Sequence, residues 1–377
     1  MISKLPQVGI SIFTEISAKA AAAKALNLAQ GFPDLPVDQD LIDRLCHYVK
    51  SGANQYAPGD GVMSLRKKIA LLTDQLYGYL PDAESEITIT SGATEGLNDA
   101  FAALVNPGDE VIVLEPAYDA YIPGILLHGG IPVSVKLDTD TFKVSWEDIE
   151  RSISDKTKAI IINNPHNPTG TTWDQDDIST LSKLADKYDL IVISDEVYHH
   201  LIYDNQSHLS VLSDEALRKR SIVLFSFGKT FHVTGWKVGY VIAPDLYTDE
   251  IRKMHQFATF CVHTPTQLAI ADALTFDRIR KVNDSFEGKR DRLIKGLSET
   301  KFRMKPAAGT YFQTVNYRQY NQKEDRQWVD ELILNPGIAM IPLSPFYQDE
   351  TQTYQLRICF AKANETLDSA INILQSL

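Results

Sequence analysis

The sequence predicts an α/β protein: a mainly parallel sheet of seven strands sandwiched by helices, with a smaller α+β domain beside it. Three observations predict it. Short β-branched runs recur from residue 86 to residue 243 with helical patterns between them. Several of these runs, IVLEP and IIIN among them, are apolar on both faces, as strands covered on both sides are. Residues 305–377 then change rhythm, with strand-like runs and a closing helix. At 377 residues the chain has room for two domains and needs no covalent staple.

Taken in order, residues 1–14 read as an extended arm, and EISAKAAAAKAL (15–26) as a helix by propensity alone. NLAQGFPDLP (27–36) breaks that helix and predicts an ordered loop. Helices follow near 38–51 and, after YAPGDG (56–61), over 63–79. The seven strands are EITIT (86–90), DEVIVLE (109–115), GIPVSVKL (130–137), KAIIINN (158–164), DLIVISD (189–195), RSIVLFSF (220–227) and KVGYVIA (237–243). Helices fill 94–104, 118–128, 146–153, 174–187 and 214–219, and a helical continuation runs over 245–297. KPAAGTYFQTVNY (305–317), IAMIPLS (338–344) and TYQLRICFA (353–361) read as strands of a second unit, closed by a helix over 364–377. Because helices precede the α/β pattern, N-terminal elements are expected to complete that unit.

Lys and Arg number 37 against 49 Asp and Glu, a net charge of −12, which argues against a nucleic-acid surface. Cys46, Cys261 and Cys359 form no CxxC pattern and predict buried thiols in a reducing compartment. The N-terminus MISKLPQVGISIF lacks a signal-peptide pattern, and no run of 18 apolar residues occurs, so a cytoplasmic chain is expected. FGKT (227–230) is not the end of a phosphate loop, because Val223 stands where that motif needs Gly. SGATEGL (91–97) has its glycines at the wrong spacing for a dinucleotide fold. His199 and His200 are adjacent, would face opposite sides of a strand, and belong to no HExxH, so no metal is expected. Arg252, Lys253 and Phe257 read as a helix surface with one packed face.

Open α/β sheets place their sites outside the carboxyl ends of the strands. There the first strand is followed by Ser91-Gly92-Ala93-Thr94 and a helix start, which is either a plain cap or an anion pocket. PHNPTG (165–170), with Asn167, sets a turn more rigid than a connection requires. Asp195 ends a very apolar strand, either as a turn cap or as a partner that keeps a heterocyclic nitrogen protonated. Lys229, in Ser226-Phe227-Gly228-Lys229-Thr230, is either a snorkelling lysine or an amine made nucleophilic by desolvation or a neighbouring cation. Anion pocket, carboxylate, amine and aromatics on consecutive strand ends together match a phosphorylated aldehyde with a ring nitrogen, which is pyridoxal phosphate.

NPHNPTG (164–170), SDEVY (194–198), SFGKTFHVTGWKVGY (226–240) and LRICFAK (356–362) resemble the signatures of the class I/II, fold-type I pyridoxal-phosphate aminotransferases. NLAQGFPDLP (27–36), GANQYAPGDG (52–61), EPAYDAY (115–121), HQFATFCVHTPTQLA (255–269) and GTYF (309–312) look most like the bacterial methionine or aromatic branch, related to kynurenine and glutamine transaminases. The resemblance covers nearly the whole chain. It implies an arm and part of a small domain over 1–45, a large cofactor-binding domain over 46–280, and the rest of the small domain over 281–377.

The resemblance also implies roles. Lys229 would be joined covalently to pyridoxal 5′-phosphate and act with Asp195 and Tyr198 as the catalytic set. Asp195 would pair with the ring nitrogen, Asn167 and Tyr198 with the ring 3-oxygen, and Tyr118 would lie on the ring face. Gly92, Ala93, Thr94, Ser226 and Lys237 would hold the phosphate, Lys237 standing where many relatives carry Arg, so that a point charge replaces a fork. Tyr56 would reach the phosphate of a neighbouring subunit, making a homodimer part of the site. Arg357 would take the substrate α-carboxylate bidentately, with Asn167 and the backbone near Gly31 beside it. With no second arginine evident and Phe13, Phe32, Tyr56 and Phe346 as apolar lining, a neutral or aromatic amino acid is expected: methionine, phenylalanine, tyrosine, glutamine or kynurenine, with a 2-oxo acid as acceptor. The alternatives are a β-lyase acting on cysteine S-conjugates with the same cofactor and a non-enzymatic regulatory protein on the same scaffold.

Overall fold

In the computed structural model, which describes residues 3–377, the seven β-branched runs pair into one sheet. Its strands are β1 (Ile87–Thr90), β2 (Glu110–Glu115), β3 (Ile131–Lys136), β4 (Thr157–Asn163), β5 (Ile191–Asp195), β6 (Ser221–Ser226) and β7 (Gly239–Ile242), in the order β1-β7-β6-β5-β4-β2-β3. β7 runs antiparallel to β1 and β6, and the remaining pairs are parallel. The chain's helices begin with α1 (Ile12–Ala23), α2 (Gln39–Lys50), α3 (Met63–Tyr77) and α4 (Ala93–Leu104). Along β4, Ile160 and Ile162 enter one apolar cluster with Leu65 and Ile69 of α3, while Ala159 and Ile161 enter another with Leu97 and Phe101 of α4. Both faces are therefore covered, and each buried Ile or Phe contributes about 1.5–3 kcal/mol. Runs that are apolar on both faces, rather than alternating, are the direct cause of this sandwich.

A third cluster joins the two ends of the chain. Ile12, Ile16 and Ala20 of α1 share it with Leu293, Trp328 and Ile358. Its antiparallel sheet consists of β8 (Phe312–Asn316), β9 (Ile341–Pro342) and β10 (Gln355–Cys359), in the order β9-β10-β8. N-terminal and C-terminal residues are thus buried in the same apolar cluster. Among the described residues no helix is long and apolar enough to cross a membrane.

Several boundaries differ from the sequence expectation. The first helix is 12–23 rather than 15–26, so residues 12–14 are not part of an extended arm; residues 1–2 of that arm lie outside the described residues. Ser11 Oγ accepts from Thr14 N at its start, Lys24 closes it at φ 54, and Leu26–Asn27 leaves to pair with Ile338–Ala339. The alanine run has no face to mark its ends, whereas the cap does. IAMIPLS divides, because Ile338–Ala339 joins that pair and Ile341–Pro342 joins β10. The continuation over 245–297 is three helices, Asp245–Ala258, Thr264–Ala273 and Phe276–Leu297. Phe260 at φ 72 breaks the first junction, and Pro265 opens the second helix. His199 and His200 are not on a strand; both are buried in the turn after β5.

Candidate active site

The turn after β1 brings Gly92 to the sheet edge at φ 76, where a Cβ would come within 3.1 Å of Lys237 Nζ. Gly239 of β7 is equally required: a Cβ there would lie 2.6 Å from the Phe225 carbonyl oxygen and 2.7 Å from Ala93 N, both backbone atoms that cannot yield. The start of α4 thus rests on the backbone of β6 and β7. No side chain caps α4, so its first N–H groups lack partners beside a cleft that Gly92, Ala93 and Thr94 line. Lys237 lines the same end, held at φ 51.

Asp195 ends β5. Tyr121 Oη donates to its Oδ2 at 2.7 Å and Val197 N to its Oδ1 at 3.2 Å. Asn163, ending β4, donates through Nδ2 to the Asp195 carbonyl at 2.8 Å and accepts the Asn167 N–H on Oδ1 at 2.7 Å. These bonds tie two strand ends and the rigid PHNPTG turn into one floor. Burial pushes the Asp195 carboxyl up, against the Tyr121 and Val197 bonds and the Lys229 charge, which favour the anion. A cation set beside it would favour the anion further.

Ser226 ends β6 and opens the short helix Phe227–Thr230 that carries Lys229. Lys229 Nζ donates to Tyr311 Oη at 3.0 Å and to the Gly31 carbonyl at 3.4 Å, and Tyr311 Oη donates to that carbonyl at 2.7 Å. Burial pushes the Lys229 amine down to about 8; Arg357 and Lys237 add to the fall, while Cys359 and Asp195 oppose it. About a tenth of the amine is then neutral near pH 7, a few hundred times more than in an ordinary lysine, and the neutral form is what a nucleophile or proton acceptor requires. Tyr198 packs edge-on against Tyr311 and Phe312, ring centroids 5.2 and 5.7 Å apart, and burial pushes its phenol up, so it stays a donor.

Arg357, on β10, is 1% exposed. Its Nη1 donates to Asn167 Oδ1 at 2.8 Å and its Nη2 to the Ala29 carbonyl at 3.0 Å. Phe312, Phe13 and Phe346 surround the guanidinium, their centroids 3.9, 4.9 and 5.6 Å away. Nε has no partner, and no carboxylate pairs with the group among the described residues. Burial therefore pushes its pKa down. A buried cation left in this state is costly until an anion meets it.

These groups share one cleft of about 540 Å³, lined by Gly31, Gly92, Ala93, Thr94, Tyr118, Asn167, Asp195, Tyr198, Ser226, Lys229, Lys237 and Arg357. Phe13 and Phe32 line it too, and Phe346 stands behind Phe13 at 5.8 Å. Tyr56 is not brought in: it is 82% exposed and packs edge-on against Phe260 at 5.2 Å. Sequence reasoning assigned no role to Tyr121, Tyr311 or Asn163, nor to Thr14, Ser17 and Gln30, which line the cleft beside Phe13. Tyr121 lies one helical turn past Tyr118 and Tyr311 inside GTYF, the only signals either carried.

The comparisons with known proteins agree over the full length. The family model for aminotransferase class I and II matches residues 23–374. The methionine aminotransferase of Escherichia coli is 46% identical, covering 100% of this chain and 98% of that protein. Kynurenine–oxoglutarate transaminase 3 of Homo sapiens is 31% identical, covering 97% of this chain and 88% of its own. The solved structure of an Escherichia coli protein with a methionine aminotransferase function superposes with a TM-score of 0.98 at 46% identity, covering 100% of this chain and 99% of that one. With strand ends, amine, carboxylate and buried guanidinium in the places described, the chain belongs to the class I and II aminotransferases, enzymes that move an amino group between amino acids and 2-oxo acids.

Proposed function

We propose that the enzyme uses pyridoxal 5′-phosphate to move the amino group of a neutral, methionine-like or aromatic L-amino acid to a 2-oxo acid. The donor set supports the cofactor. Free amides at the start of α4, Lys237 and Ser226 suit a phosphate, Asp195 suits a protonated ring nitrogen, and Lys229, whose buried amine is pushed down to about 8, suits an aldehyde. Residues 46–280 would carry the cofactor, while 1–45 and 281–377 bring Gly31 and Arg357 against it. When bound, the cofactor supplies an electron sink for the pair left on Cα as its proton departs.

The protein's own share follows from the geometry. Arg357 binds the substrate α-carboxylate with its free face and is held flat by Phe312. Asp195, fixed by Tyr121 and Val197, would keep the cofactor's ring nitrogen protonated. Tyr118 would hold the ring by its face, and Asn167 and Tyr198 would donate to its oxygen, all three lining the same cleft. Lys229 Nζ, held by Tyr311 and the Gly31 carbonyl, would take the Cα proton of the substrate. Tyr56, exposed in one chain, would complete the phosphate site of a second copy.

Arg357 carries the substrate reading: among the described residues it is the one guanidinium lining the cleft, and the neighbouring side chains Phe13, Thr14, Ser17, Gln30 and Phe32 offer no second cation for a side-chain carboxylate. An unpaired charge in that pocket is costly. Mixing the cofactor-loaded enzyme with methionine, phenylalanine, glutamine and aspartate, and following both absorbance and 2-oxo acid, tests it. Methionine or phenylalanine should lead aspartate by at least roughly tenfold in kcat/KM, the worth of about 1.4 kcal/mol; aspartate in the lead would overturn the assignment.

A further inference from the structure

His255, on the helix Asp245–Ala258, is buried between two acceptors and makes both its contacts at hydrogen-bond distance. Nδ1 lies 2.6 Å from Glu95 Oε1, and Nε2 lies 2.9 Å from the Gly59 carbonyl. A carboxylate and a carbonyl both accept, so the pairing is complete only with a proton on each ring nitrogen. Glu95 is the third residue of α4, and its other oxygen accepts the Ser91 N–H at 2.5 Å. One carboxylate thus holds the turn that aims Gly92, Ala93 and Thr94 into the cleft. Asp99, a turn further along α4, is 0% exposed; its Oδ2 lies 3.8 Å from His255 Nδ1, beyond hydrogen-bond reach, and neither oxygen has a hydrogen-bond partner. Burial and the Glu95 carboxylate push its pKa up, so Asp99 keeps its proton and adds no second charge. Against burial, which would raise it, the His255 bond and charge and the Ser91 N–H hold Glu95 ionised.

The arrangement poses an electrostatic problem with one visible answer. The N-terminus of a helix favours an anion, but a carboxylate in its first turn competes for the same positive end. Left alone, Glu95 would repel the phosphate that the same turn is to hold. We infer that His255 is a positioning residue that neutralises Glu95, so that this carboxylate can orient the Ser91-Gly92 turn without repelling the cofactor phosphate. The inference rests on the cofactor reading above. It also ties the start of α4 to Gly59, three residues from Tyr56, so that the loop facing outward and the anion-binding turn are held by one ring.

The test titrates the full-length protein, stripped of cofactor, with pyridoxal 5′-phosphate and separately with pyridoxal, following the absorbance of the bound aldehyde. His255→Ala should weaken pyridoxal 5′-phosphate by roughly tenfold, within the usual 5–150-fold range of such couplings, and leave pyridoxal within about twofold. Adding Glu95→Gln to His255→Ala removes the stranded charge and should recover most of the lost affinity, because deleting both partners of a buried pair costs less than deleting one. Loss of ring packing alone would not be rescued in this way. Equal weakening of both aldehydes, or no rescue in the double variant, overturns the inference. Should His255→Ala unfold, His255→Gln keeps a donor to Glu95 without the charge, and unchanged affinity for pyridoxal 5′-phosphate in that variant overturns it as well. If the parent protein binds neither aldehyde, the cofactor reading has failed instead.

Discussion

The cleft ends in two cations built in opposite ways. Arg357 is buried on a strand, bonded to Asn167 and Ala29, and stacked at 3.9 Å on Phe312. Lys237 is exposed, sits on a backbone held at φ 51, and reaches Gly92 by a flexible stem. A buried planar fork selects by angle, whereas a solvated point charge adds attraction without direction. The direction at the Lys237 end comes from the amides of α4. One end therefore depends on a side chain and the other on a backbone, and substitutions should separate them.

The largest effect lies between the ends. If they bind and only Lys229 moves the proton, Lys229→Ala should lower turnover by more than about 10³-fold while leaving both binding ends intact. Near-normal transamination, measured as 2-oxo acid released by single turnovers, would break the division of labour. The same amine gives a pH test. With Lys229 pushed down to about 8, the cofactor-free protein should gain reactivity towards a simple aldehyde as pH rises through 8 and level off above it. An ordinary lysine would still be gaining near pH 10.

Next comes Arg357→Lys. It removes the fork and leaves Asn167 Oδ1 and the Ala29 carbonyl short of donors, in a site where a hydrogen bond to a charged group is worth about 1.5–3 kcal/mol. A loss of roughly 10²-fold in kcat/KM is expected, with cofactor affinity changed by less than about threefold. Equal damage to both quantities would mean that the two ends are not independent. Tyr121→Phe is smaller. It deletes one donor to buried Asp195, already raised by burial, and should cost roughly tenfold in turnover; an unchanged rate would show that Val197 N–H and the ring cation suffice.

Much of this contrast is legible in the chain. The sheet is legible because IIIN and IVLEP have no polar face, and Asp195 and Lys229 because polar residues ending such strands need a reason. The alanine run of α1 hid its own ends, since every register of it is equally helical, and Pro265 marked a helix start that the 245–297 pattern obscured. Tyr121, Tyr311 and His255 are a different matter. They act on Asp195, Gly31 and Glu95, which lie 74, 280 and 160 positions away. No spacing rule spans such distances, because only the folded sheet makes those residues neighbours. Tyr56 is the converse: the resemblance gave it a role beyond its own chain, and in this chain it stays exposed and outside the cleft.

The smallest effect is the most informative about the phosphate end. If backbone amides set direction there and Lys237 only supplies charge, Lys237→Arg keeps the charge and should change pyridoxal 5′-phosphate affinity by no more than about threefold either way. Lys237→Ala should cost more, and part of that cost should vanish with added salt, because an exposed charge is screened. A gain above tenfold in Lys237→Arg would mean that a fork finds two phosphate oxygens and fixes the group by angle. The two ends would then work by the same rule, and the lysine would be a weaker copy of Arg357 rather than a different solution.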